Sequence, residues 1–145
     1  MTPSLKLYQT QRRLLQTLLW ILLIVPLTLS PIAIFSGLRG FYWVYQLGSP
    51  EPIVVDLDND LRYLASVFFT LGLVLAWTIP QIEKQTALFR LIALGIFIGG
   101  IARLISFYQV GSPGALNWML TVVELLFPLL ALWQSKVARL GAQAQ

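Results

Sequence analysis

Four long apolar runs, set apart by short polar or proline- and glycine-containing stretches, constrain this chain more than any other feature. A helix needs about 17–25 mainly apolar residues to cross roughly 30 Å of hydrocarbon. Leu14 to Phe35 meets that length without a charge, and Leu61 to Ile79 holds only Arg62 near its start. Leu88 to Val110 carries Arg90 near one edge and Arg103 inside, and Leu116 to Trp133 contains Glu124. The runs predict transmembrane helices over residues 14–35, 61–79, 88–110 and 116–133. The fold expected is an all-α integral membrane protein, a four-transmembrane-helix bundle forming a single domain over residues 1–145.

Composition agrees. Hydrophobic residues make up 57% of the chain and charged residues 11%, against about 25% charged in soluble domains. So little polar surface cannot coat a soluble particle, and lipid must cover the rest. The net charge of +4 comes from basic residues scattered at helix ends rather than gathered on one face, so nucleic acid is not an expected partner. Cysteine and histidine are absent. That removes disulfides, thiolate or imidazole metal ligation, histidine-bound haem and Ser-His-Asp or cysteine nucleophiles. No metal, cofactor or catalytic residue is assigned.

The first run is read as a retained helix. Arg12 and Arg13 flank it as they would flank a signal peptide, but it is too long and no small-x-small cleavage site follows. Gln11-Arg12-Arg13-Leu14 also falls short of a twin-arginine signal. Alternating helices put Lys6, Arg12 and Arg13, then Lys84 and Arg90, then Lys136 and Arg139 on one side. By the positive-inside rule both termini are expected in the cytoplasm.

The outer side then holds one longer connection between the first two helices, about residues 36–60. Its aromatic cluster Phe41-Tyr42-Trp43-Val44-Tyr45 suits the headgroup level, as an anchor or as a ligand-binding wall. Gly48-Ser49-Pro50-Glu51-Pro52 reads as an irregular stretch, and Ile53 to Val55 as a short extended piece. Asp56, Asp58 and Asp60 imitate the start of a calcium loop, but Leu61 and Val67 stand where glycine and glutamate are needed. The cluster is therefore expected to cap the second helix, with weak cation binding as the alternative. Gly111-Ser112-Pro113-Gly114 predicts a tight turn.

Charges inside a span are costly, so they face the bundle and find partners. Arg103 and Glu124 each lie about 10 Å below the same surface at 1.5 Å per residue. They sit on consecutive antiparallel helices, and an ion pair between them is expected. Gly95, Gly99, Arg103 and Ser106 form one stripe at offsets of three and four, and Asn117, Thr121, Glu124 and Pro128 another. Arg62, Ser66 and Thr70 form a third, and the simplest bundle turns all three inward. Gly95, Gly99 and the adjoining Gly100 are the expected helix-packing positions, because small residues allow close approach within the chain or between chains.

The order Arg62-Tyr63, then Gly99-Gly100-Ile101-Ala102-Arg103-Leu104-Ile105-Ser106, then Gly111-Ser112-Pro113, then Glu124 resembles the small bacterial membrane proteins grouped as domain of unknown function 4345. The resemblance covers about Leu61 to Trp133 and the register of the first helix. It implies a four-helix membrane bundle broadly similar to DoxX-like proteins, and no activity.

The expected function is non-enzymatic: binding of an amphipathic ligand such as a lipid or quinone, or service as an accessory subunit of a membrane complex. In that reading Arg103 holds an anionic or carbonyl group and Glu124 neutralises and orients it. Arg62 and Tyr63 line the entrance, with Ser106, Asn117 and Thr121 alongside. Two alternatives stand beside it. One is a membrane enzyme using Glu124 or Asp60 as acid or base on a lipid-like substrate. The other is a small-solute transporter, which would need a homo-oligomer because one such protomer is narrow.

Overall fold

The computed structural model describes residues 3–40 and 52–143, and among these there is no strand. Helix α1 spans Pro3–Ser36 and passes into a 3₁₀ turn over Gly37–Gly40. Helix α2 spans Pro52–Thr78, with a 3₁₀ turn over Ile79–Gln81. Helices α3 (Thr86–Val110) and α4 (Ala115–Gln143) follow. All four are long and apolar enough to cross a membrane.

Their surfaces say what must surround them. Only 22%, 28%, 22% and 11% of the residues in the four most apolar stretches are buried within the protein. Trp20, Ile21, Leu73, Trp77, Leu91, Ile98, Leu129 and Leu132 are all exposed. Leaving such a side chain in water rather than an apolar medium forgoes about 1.5–3 kcal/mol, so the helices are built for hydrocarbon.

The helices outrun the apolar runs. Helix α1 starts eleven residues before Leu14 and α4 continues ten beyond Trp133, because polar turns at a membrane surface prolong a helix without an apolar requirement. The expected extended piece at Ile53–Val55 is helical instead. Pro52 opens α2 at the position where a missing N–H costs nothing. Asp56, Asp58 and Asp60 therefore lie within its first turns rather than ahead of it. The aromatic cluster at 41–45 and the 48–51 stretch lie outside the described residues. The tight turn expected at 111–114 is a four-residue connection without regular structure. Gly111 closes α3 at φ +124°, a conformation open to glycine alone, while its N–H donates to the Phe107 carbonyl at 3.1 Å.

The described residues fall into two compact units, Leu19–Trp77 and Met1–Leu18 with Thr78–Gln145. In the first, α1 and α2 approach where Gly72 meets Pro26; a Cβ on Gly72 would lie 3.2 Å from the proline ring. Pro26 and Pro31 stand inside α1, where each leaves a carbonyl one turn earlier without its amide. Between them Thr28 donates its hydroxyl to the carbonyl of Ile24, one turn back on its own helix, at 2.6 Å.

In the second unit the start of α1, the 79–85 connection, the start of α3 and the end of α4 meet. Arg12 pairs with Glu83 at 3.1 Å and donates to the Pro80 carbonyl at 2.9 Å. Gln16 donates to the Ile79 carbonyl, and the Trp133 indole to Gln11. Gln134, wholly buried, donates to the Ile82 carbonyl at 2.7 Å and the Thr86 hydroxyl at 2.8 Å. Phe89 packs on Phe127 at 6.2 Å between ring centres.

Candidate functional site

The seam between α3 and α4 runs through Gly100. Ala93, Gly100 and Phe107 are spaced by seven, which keeps them on nearly one line because a straight helix drifts only about 20° per heptad. A Cβ on Gly100 would lie 3.1 Å from Glu124 Cβ and 3.1 Å from Leu125 Cδ2, so the absent side chain is what lets α4 come this close. One turn along, Arg103 reaches across. Its Nε stands 3.0 Å from Glu124 Oε2, and its Nη1 donates to Asn117 Oδ1 at 3.1 Å. Thr121, fully buried, donates to the Asn117 carbonyl at 2.8 Å and holds that turn of α4. Beyond the cluster, Phe107 and Trp118 meet at 4.7 Å, and the Trp118 indole donates to Ser112 at 3.0 Å.

The pair is lopsided. The Glu124 side chain is 16% exposed and that of Arg103 38%. The approach is ionic rather than an aligned hydrogen bond, since Oε2 is buried without a directed donor. A guanidinium carries five N–H donors, and here Nε and one Nη1 hydrogen are engaged. Its outer edge can hold another oxygen acceptor, and charge-assisted donors act strongly where water is scarce.

The structure thus unites Arg103, Glu124, Asn117 and Thr121. Other expected members lie elsewhere. Ser106 is exposed, away from the seam. Gly95 and Gly99 have nothing within 4 Å of where a Cβ would stand. The intramolecular packing expected of all three glycines is carried by Gly100, and the reason is angular. Steps of four overshoot a turn by about 40° each, so Gly95 sits about 80° from Arg103 around the helix. Ser66 and Thr70 are also exposed and donate to carbonyls of their own helix, Arg62 and Ser66 respectively, rather than facing inward.

Arg62 and Tyr63 belong to the other unit. Tyr63 is exposed. Arg62 donates to Asp58 Oδ2 at 2.7 Å and to the Ile34 carbonyl at 2.7 Å, while Asp58 Oδ1 accepts from the Leu38 N–H at 2.7 Å. The arginine caps the carbonyl end of α1, and the aspartate caps the 3₁₀ turn that follows rather than its own helix. Gly37, at φ +57°, leaves room for both, since a Cβ there would collide with Asp58 and Arg62. A cleft of about 510 Å³ beside them is lined by Phe35, Ser36, Arg39 and Gly40 with the same pair. No group of three or more acidic, cysteine or histidine side chains among the described residues is placed to hold a metal.

A family model matches residues 14–135, which reaches into all four helices and takes in the Arg103–Glu124 seam. The chain belongs to the family described as a domain of unknown function, DUF4345. No curated protein and no solved structure gives a significant match. For this DUF4345 chain, function has to be argued from the site.

The buried Gln134 was missed by reading charge alone. Phe127, Gln134 and Gly141 are spaced by seven and all buried, and that periodicity would have placed Gln134 in the core.

Proposed function

We propose that this DUF4345 chain is a non-enzymatic membrane protein that holds an amphipathic ligand, a lipid or a quinone, by an oxygen acceptor seated on Arg103. The supporting observation is the half-open guanidinium inside an apolar span, with donors to spare and a covered carboxylate behind it. A purely structural pair gains from hiding both charges, whereas this one shields the acid and presents the base. Glu124 sets the orientation of Arg103, and Asn117 fixes the fork. Glu124, committed to its arginine, is poorly placed to act as a base, and Asp60 is exposed. Both termini lie on the cytoplasmic side in this reading, on the strength of the basic residues gathered there.

A second reading, an accessory subunit or homo-oligomer, draws on Gly95 and Gly99. They present a strip of α3 with open space above it, the surface on which a helix of another chain packs closely.

The test is native mass spectrometry of protein released from its own membrane in mild detergent, with extraction of whatever is retained. A stoichiometric lipid or quinone in the wild type, lost in Arg103→Ala, is the expected result. Wild type that emerges bare would overturn it.

A further inference from the structure

A second cleft, distinct from the Arg103 site, runs along the outer surface of α3 and α4. It has a volume of about 590 Å³. Ala93, Leu94 and Phe97 form one wall, and Leu126, Leu129 and Leu132 the other. Arg90 and Ser135 close it at one end, where Arg90 Nη2 donates to Ser135 Oγ at 3.1 Å. From Ser135 back to Leu125 the groove follows ten residues of α4, about 15 Å at 1.5 Å per residue. That is half of the roughly 30 Å hydrocarbon core, the depth of one leaflet.

The charge at that end is one-sided. Arg90 is exposed, and the ion pairs among the described residues belong to Arg12, Arg62 and Arg103. In the same unit stand Lys6, Arg12, Arg13, Lys84, Lys136 and Arg139 near the chain ends and the 79–85 connection. Glu83 is the acid there, and Arg12 already holds it. An apolar channel one leaflet deep, closed by an arginine with no carboxylate, complements a lipid with one negative headgroup.

From this we infer that the α3–α4 groove is a binding site for an anionic phospholipid, one acyl chain between the leucine wall and Phe97, the phosphate on Arg90. Ser135 holds the guanidinium over the mouth. Its hydroxyl donates to the Ala131 carbonyl and accepts from Arg90, so the arginine is steadied while most of its donors remain for phosphate. The surrounding bases attract an anionic leaflet as a whole, an effect that ends on release into detergent, and only Arg90 stands at the groove.

The protein is reconstituted into vesicles of equal phosphatidylcholine and phosphatidylglycerol, released into mild detergent and weighed by native mass spectrometry. Wild type is expected to retain one phosphatidylglycerol in preference to phosphatidylcholine. Arg90→Ala lowers that preference about tenfold, the lower range for a hydrogen bond to a charged group. Arg13→Ala removes the same charge from an exposed position of α1 and leaves the preference unchanged. Leu129→Trp fills the groove and ejects the lipid with Arg90 intact. The inference is overturned by undiminished preference in Arg90→Ala, by equal loss in Arg13→Ala, or by a lipid-free dimer of wild type.

Discussion

Valine in place of Gly100 probes the α3–α4 seam at its narrowest point. A single Cβ there would stand 3.1 Å from both Glu124 Cβ and Leu125 Cδ2, whereas non-bonded carbons rest about 3.5–4.0 Å apart. Even alanine asks α4 to yield a few tenths of an ångström, and the two γ-methyls of valine ask for more. Overpacking of this kind costs about 1–3 kcal/mol. Removing a glycine from a helix returns at most about 1 kcal/mol, so Gly100→Ala is near neutral and Gly100→Val is destabilising by about 1–2 kcal/mol. The same changes at Gly95 and Gly99 meet open space and leave stability equal or slightly higher. Thermal unfolding of the six variants in one detergent, followed by circular dichroism, reads the difference. Gly100→Val as stable as wild type would refute the seam as described, and a loss at Gly95 or Gly99 as large as at Gly100→Val would refute the open face beside it. The latter would show that this face of α3 is covered in the assembled protein.

Three other substitutions test different parts of the structure. Gly111→Ala places a side chain at φ +124° and is expected to cost about 1–3 kcal/mol in the same assay, as strained backbone does. Gln134→Ala strips the Ile82 carbonyl and Thr86 hydroxyl of a buried donor, an expected loss of about 1–3 kcal/mol. Asp58→Ala frees the Leu38 N–H and unpairs Arg62. It should speed amide exchange at Leu38 while leaving exchange within α3 and α4 unchanged.

The membrane-crossing character and the Arg103–Glu124 pairing were legible because both follow from coarse quantities. Run length fixes a span, and matched depth on antiparallel neighbours fixes a partner. Asn117 and Thr121 were placed correctly on the facing stripe of α4 for the same reason. Gly95, Gly99 and Ser106 were not, because a one-residue difference turns a side chain by about 100°. Steps of three and four alone do not say which of two adjacent glycines meets the neighbour. The start of α2 was illegible for another reason: a proline such as Pro52 ends a helix as readily as it opens one at the first position. Asp58 and Arg62 read as a cap and an entrance because the sequence does not show that the end of α1, with its unsatisfied carbonyls, lies within their reach.

The most direct test of the proposed ligand site exchanges its two charges. The double variant Arg103→Glu, Glu124→Arg keeps an ion pair between α3 and α4 but moves the exposed donors to the other helix. The account predicts that the exchange recovers most of the melting temperature lost in Arg103→Ala, while the ligand retained by wild type in native mass spectrometry stays absent. An exchanged protein that recovers both stability and ligand would contradict it, leaving the pair as a staple between helices and nothing more.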